Sequence, residues 1–189
     1  MKVIALHYEE AQLISLAIAN NRQAQHQLYT KYASKMLSIC RQYIKDLHHA
    51  EDVMITAFMK IFINLKKFEH KGSFEGWMKR IMIHECIDFI RSQKITFIHS
   101  ELEEWKFIEE DVKEDNFEQF STETIQELID LLPNGYKMVF NLYVIEGLKH
   151  QEIAKMLQIA EGTSKSQLAH ARRMLQEALK NYKKRTKWH

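Results

Sequence analysis

Apolar positions recur along this chain at steps of three and four, the period of a helix with one buried face. Leu28, Tyr32, Met36, Ile39 and Tyr43 keep that step within 23–45, and a shorter helical stretch covers 6–20. A break at Asp46-Leu47-His48-His49 precedes a helix over 50–66, where Val53, Ala57, Ile61 and Leu65 recur every fourth residue. The segment from Lys66 to Gly72 reads as a basic loop. Ser73 then caps a helix running to about Arg91, with Phe74, Met78, Met82, Cys86 and Phe89 on its buried face. From Ser92 to Ser121 no period is sustained, and Trp105, Phe107, Ile108, Phe117 and Phe120 are scattered among carboxylates. Helices resume over 123–132, which stops at Leu132-Pro133-Asn134-Gly135, and over 136–146, which stops at Gly147. A short helix over 150–157 and a long one from about 161 to 182 complete the chain. The pattern predicts an all-α fold of two small helical domains, 1–95 and 122–189, joined by a linker over 96–121.

Composition agrees with helices. The 189 residues include five Gly and one Pro, too few for the turns of a sheet protein. The net charge of +2 conceals a segregation. Residues 1–98 carry +5, residues 99–127 carry −9 and residues 128–189 carry +6. Basic lobes suit a polyanionic partner, and an acidic strip with few apolar anchors suits a linker. Glu9 and Glu10 interrupt the N-terminus before an export signal can form, and no apolar run approaches a membrane span, so a cytoplasmic protein is expected. Cys40 and Cys86 read as two buried, reduced thiols.

The stretch from His150 to Leu179 has helix-turn-helix spacing. Ile153, Ala154 and Leu157 pack the first helix, Ile159 plugs the turn, and Ser164, Leu168, Ala171, Leu175 and Leu179 give the second helix its buried stripe. The opposite stripe carries Thr163, Ser166, Gln167, His170 and Arg173, with Lys165 beside it. In this motif that end of the helix enters the major groove, where donors and acceptors read base edges. Lys165, Arg172 and Arg173 are also placed to neutralise phosphates. An ordinary helical hairpin with a solvated polar face is the alternative.

On helix 73–91 a second stripe carries Trp77, Arg80, His84, Asp88 and Arg91. An aromatic among cations suits melted or single-stranded nucleic acid, where bases stack and phosphates attract. A solvated face with Trp77 in the core is the alternative. Glu51 and Asp52 suit the first turn of their helix, as dipole partners or as a docking surface. No phosphate-binding glycine loop, zinc-binding histidine pair or nucleophile arrangement is present, so neither an enzyme nor a cofactor is expected. A helix-turn-helix repressor, or another stand-alone DNA-binding regulator, is the alternative function. The N-terminal lobe discriminates against it, since a repressor needs no docking helix.

Two strings resemble a known family. The run from Tyr43 to Phe68, followed by Gly72 to Arg91, resembles the second conserved region of the extracytoplasmic-function sigma factors of bacterial RNA polymerase. Leu128 to Arg172 resembles the fourth. The resemblance implies a sigma factor that binds core polymerase, directs it to promoters and helps to melt the minus-ten region. Asp46, Glu51, Asp52, Val53, Phe58, Ile61 and Phe62 match the surface, and its support, that dock on the large-subunit clamp helices. Lys66, Lys67, Phe68, Lys71, Trp77, Arg80, His84 and Arg91 match the part that captures the minus-ten element. Thr163, Lys165, Ser166, Gln167, His170 and Arg173 match the helix that reads the minus-thirty-five element. Expected partners are core RNA polymerase, through its clamp helices and flap, promoter DNA and an anti-sigma protein, with no small-molecule substrate. The linker would thread channels that later carry RNA.

This chain departs from the family at Lys149, where Ser or Thr usually caps the motif's first helix. It departs also at Gln158, where Gly usually makes the turn, and at Ala160 and His84, which replace a usual Ser and Asn. A lost cap and a non-glycine left-handed residue each cost about 1 kcal/mol, so a less stable motif than the family's is expected.

Overall fold

The computed structural model describes residues 10–93 and 121–186. Their regular structure is helical, with no strand among the described residues. The helices are α1 (Glu10–Ile18), α2 (Arg22–Tyr43), α3 (Leu47–Asn64), α4 (Phe74–Ser92), α5 (Thr122–Ile129), α6 (Asn134–Phe140), α7 (His150–Leu157) and α8 (Glu161–Thr186). The chain divides into two compact units, residues 1–89 and 90–189. The acidic linker expected over 96–121, with its scattered aromatics, lies outside the described residues except for Ser121. So does the start of the helix expected over 6–20.

In the first unit the fourth-residue spacing sets the packing. Leu28, Tyr32, Met36, Ile39 and Tyr43 of α2 are all buried, as are Val53, Ala57 and Ile61 of α3 and Phe74, Met78, Met82 and Cys86 of α4. Asn21 caps α2 by accepting the Ala24 amide at 3.0 Å. Asn20, with φ of 62°, turns the chain between α1 and α2 in the left-handed conformation that asparagine tolerates. Glu10 of α1 accepts hydrogen bonds from Lys31 and from the Tyr32 hydroxyl of α2.

One expectation is corrected here, and the expected burial of the two thiols is met. The break placed at Asp46–His49 lies earlier, over the three residues Ile44, Lys45 and Asp46. Asp46 is itself the N-cap of α3 and accepts the His49 amide at 2.9 Å, so the helix already begins at Leu47. That bond, more than any other influence, holds the Asp46 carboxyl below its ordinary range. The two cysteines, apart in sequence, are neighbours in the core. Cys40 and Cys86 are both free and fully buried. The hydrogen bond to Cys40, and then burial, push the Cys86 thiol far up.

In the second unit Leu128, Ile129 and Leu132 pack on Ala171, Leu175 and Leu179 of α8. Ser121 caps α5 through the Thr124 amide. The helix expected over 136–146 is interrupted. After Phe140 it widens into a π turn over Asn141–Ile145, closed by the Glu146 amide on the Asn141 carbonyl at 3.0 Å, and Gly147 ends it with φ of 68°. No glycine or proline lies between Tyr136 and Glu146 to announce the widening. At the head of this unit lies a buried ion pair: Lys137 reaches Asp130 at 2.6 Å, with the two side chains only 2% and 4% exposed.

Candidate nucleic-acid interface

The helix-turn-helix is α7 and α8. Ile153 and Leu157 of α7 and Leu168 and Ala171 of α8 are buried. Three substitutions against the family's habit have visible consequences. Lys149 is the N-cap of α7, and its ammonium has no lone pair to accept the amides there. Only half of a capping box forms, in which the Glu152 carboxylate accepts the Lys149 amide at 2.8 Å. Gln158 closes α7 at φ 56° and ψ 44°, the left-handed region. Ala160 offers α8 no side-chain cap, and only its carbonyl serves, accepting the Ser164 amide.

Relieving the strain at the turn should show directly. Gln158→Gly is expected to stabilise the motif by about 1 kcal/mol, the cost of a left-handed residue with a Cβ. Slower amide exchange across α7 and α8 would register the gain. Faster exchange in the variant would contradict it.

A second device holds α7 to α8. His150 Nδ1 and Ser164 Oγ share a hydrogen bond at 2.9 Å, with Ser164 fully buried. The His150 ring stacks on Tyr143 at 4.6 Å, and the Arg172 guanidinium lies 5.7 Å from the same Tyr143 ring. Burial first, and then the charge of Lys165, hold His150 below the ordinary value of 6.5, with Arg172 acting the same way and Glu161 opposing. A histidine whose folded value is depressed favours the fold when neutral. Its contribution is present above pH 6.5 and is lost as pH falls through the folded value. Amide protection in α7 and α8 is therefore expected to fall on acidification below pH 6.5, and His150→Gln to flatten that dependence. An identical pH profile in the two proteins would count against the link.

The candidate reading residues of α8 are not placed alike. Lys165 and Arg173 are exposed and carry intrahelical partners, Glu161 at 2.8 Å and Glu177 at 3.3 Å. Thr163 and Ser166 are half-buried, and the Ser166 hydroxyl donates to the Thr163 carbonyl. His170 is half-buried and stacks on Tyr136 at 5.5 Å and 14°. Gln167 departs from its expected outward placement. It is 6% exposed, and its amide covers Gly135, where a Cβ would meet Nε2 at 3.3 Å. Its side chain is withdrawn from any base edge. The spacing Ser164, Gln167, Ala171 carried that signal, because it continues the buried stripe.

In the first unit Lys66 and Lys67 are exposed on a short 3₁₀ turn, Leu65–Lys67, and Lys71 is exposed beside Glu69 at 2.7 Å. Arg80 and His84 are exposed on α4 and Trp77 is half-buried, whereas Arg91, which falls in the second unit, is half-buried and donates to the Met156 carbonyl at 2.9 Å. Phe68 is buried, with ring centres of His70, Phe74 and Trp77 at 4.7, 5.2 and 5.6 Å. It is thus a support for the loop and for Trp77 rather than a contact surface. Ser73 caps α4 through the Gly76 amide at 3.0 Å, as its position suggests.

The docking candidates on α3 divide likewise. Asp46 and Asp52 are exposed, Glu51 and Phe62 are half-buried, and Val53, Phe58 and Ile61 are core. Sequence reasoning missed the apolar face opposite that core. Ile55, Met59 and Ile63 stand 49%, 61% and 76% exposed at successive steps of four. With Asp52 and Phe62 they form one solvent-facing stripe.

A family model described as Sigma-70 region 2 matches residues 28–95, and one described as Sigma-70, region 4 matches residues 122–175. Over 163 residues the chain is 29% identical to the ECF RNA polymerase sigma factor SigW of Bacillus subtilis, covering 79% of this chain and 86% of that protein. It is 25% identical over 181 residues to the RNA polymerase sigma-H factor of Pseudomonas aeruginosa, covering 90% and 94% of the two. Among solved structures, the sigma factor RpoE of Bartonella quintana, in complex with the anti-sigma factor NepR, shares the fold. The TM-score is 0.52 at 20% identity, over 82% of this chain and 96% of that one. With both regions matched in order over more than half of its length, this chain belongs to the sigma-70 family, as an RNA polymerase sigma factor of the extracytoplasmic-function type.

Proposed function

We propose a division of labour along the chain for its work as a sigma factor, which is to bind core RNA polymerase, direct it to promoters and help to melt the minus-ten region. Residues 1–95 dock on the polymerase and handle the minus-ten element, 96–121 connect, and 122–189 read the minus-thirty-five element. The docking surface is the exposed stripe of α3, with Asp52, Ile55, Met59, Phe62 and Ile63 in contact and Val53, Phe58 and Ile61 beneath as support. This stripe is the single observation that carries the reading. An uncovered row of large apolar side chains on a folded helix marks a protein-binding face. A stand-alone repressor has no use for one there.

Lys66, Lys67, Lys71, Arg80 and His84 supply donors and charge to the melted strand, with Trp77 as the stacking surface over the Phe68 and Phe74 rings. Thr163, Lys165, Ser166, His170 and Arg173 face the duplex, and Tyr136 holds the His170 ring in place. The chain contributes binding, not chemistry. It acts in the cytoplasm, where its polymerase works. No helix among the described residues is long and apolar enough to cross a membrane. An anti-sigma protein that covers the α3 stripe would hold the chain inactive.

Reconstituted transcription tests the reading. Purified chain, core polymerase and a genomic promoter library should yield chain-dependent transcripts whose start sites share two upstream elements. Tight sequence-specific duplex binding by the chain alone, with no chain-dependent initiation, would favour a repressor instead.

A further inference from the structure

The region 4 match ends at residue 175, yet α8 runs on to Thr186. Leu175 and Leu179 are buried against Leu128, Ile129 and Leu132, so the helix is anchored as far as Leu179. Beyond Glu177 the sequence holds five cations, Lys180, Lys183, Lys184, Arg185 and Lys187, and no carboxylate side chain. Their register is informative. A step of seven residues returns to the same face of an α-helix, and a step of four nearly so. Ser166, Arg173 and Lys180 therefore share one face, and Lys184 prolongs it. Lys180 and Lys184 are both exposed.

That face is the one the proposed reading residues occupy. From Thr163 to Lys184 the helix spans about 32 Å at 1.5 Å per residue, whereas the major groove is only about 12 Å wide. A helix whose first turns lie in the groove must carry its later turns past the groove wall, which is a row of phosphates. We propose that the end of α8, through Lys180 and Lys184, is a second DNA-binding surface, which grips duplex phosphates flanking the minus-thirty-five element without regard to sequence. It rests on the reading of α8 as the element that enters promoter duplex. Charge complementarity and continuity with that face select DNA as the occupant. A long cationic side chain suits the task because it is a point charge on a flexible stem and reads no base.

The test uses the full chain bound to core polymerase. Two duplexes of equal length serve as probes, one bearing an upstream element recovered by the promoter selection and one unrelated. Wild type is compared with Lys180→Gln/Lys184→Gln, a change that keeps helix propensity. Removing each lysine–phosphate pairing should flatten the plot of log affinity against log salt by about 0.9. The affinity gap between wild type and variant should then narrow about 12-fold between about 50 and about 200 mM salt. It should do so equally on both duplexes, leaving the preference between them intact.

An unchanged salt slope, with promoter preference intact in both proteins, overturns this inference alone. Altered preference in the variant also overturns it, since the stripe would then act on base reading. So does weaker association with core polymerase at an unchanged slope, because the stripe would then belong to the polymerase interface. If wild type itself shows no preference for the promoter duplex, the promoter reading of α8 falls, and this inference falls with it.

Discussion

A chain carrying Met59→Lys and Ile63→Lys should fold as before and bind core polymerase about a thousand-fold more weakly, at roughly 2 kcal/mol for each apolar side chain removed from the centre of the interface. Both side chains already stand in water, at 61% and 76% exposure, so the folded state loses little when they become lysine. Lysine is also the better helix former than isoleucine. The bound state forgoes the burial of two apolar side chains and must desolvate two charges instead. The control lies on the other face of the same helix. Phe58→Ala should weaken binding only as far as it unfolds the bundle, because Phe58 is 3% exposed. Titration of a fluorescent chain with core polymerase reads the affinity, and circular dichroism reads the fold. Unchanged affinity in the folded double variant would remove α3 as the docking helix.

The largest effect on stability is expected at Lys137. Lys137→Met leaves the Asp130 carboxylate buried, with its cation gone and Gln126 still donating at 3.2 Å. Removing one partner of a buried pair costs about 3–5 kcal/mol. A unit of this size is stable by only about 3–9 kcal/mol, so much of its stability should go. Lys137→Met/Asp130→Leu should recover most of the loss, because apolar side chains of similar volume replace a buried pair at little cost. Amide exchange in α5 to α8 separates the outcomes. A single variant as protected as wild type would mean that the pair contributes nothing.

What the sequence made legible follows from how local each signal is. The α2 core could be read because five apolar residues share one period, and all five are buried. The helix end ahead of Pro133 could be read because backbone geometry there depends on a single residue type, and the left-handed turn at Gln158 because the resembled family usually has Gly at that place. The α3 stripe was missed because α3 is apolar on two opposite faces. Periodicity finds Val53-Ala57-Ile61 and Ile55-Met59-Ile63 equally well, and only burial says which faces the core. Gln167 was missed because its polarity suggested water, although its spacing from Ser164 and Ala171 placed it inside. The Lys137–Asp130 pair, the meeting of Cys40 with Cys86 and the His150–Ser164 bond each join residues on different elements. No single-helix pattern contains them. The π turn after Phe140 has no residue that announces it.

The paired thiols give the N-terminal bundle a built-in clock. Cys40 and Cys86 are the chain's two cysteines, and both are wholly shielded from solvent. A thiol reagent can reach them only when α2 and α4 part, so the rate of labelling counts openings of this bundle and ignores events in the helix-turn-helix. With no engineered probe, the same measurement, repeated with core polymerase or an inhibitor bound, would report how much each partner steadies the first unit.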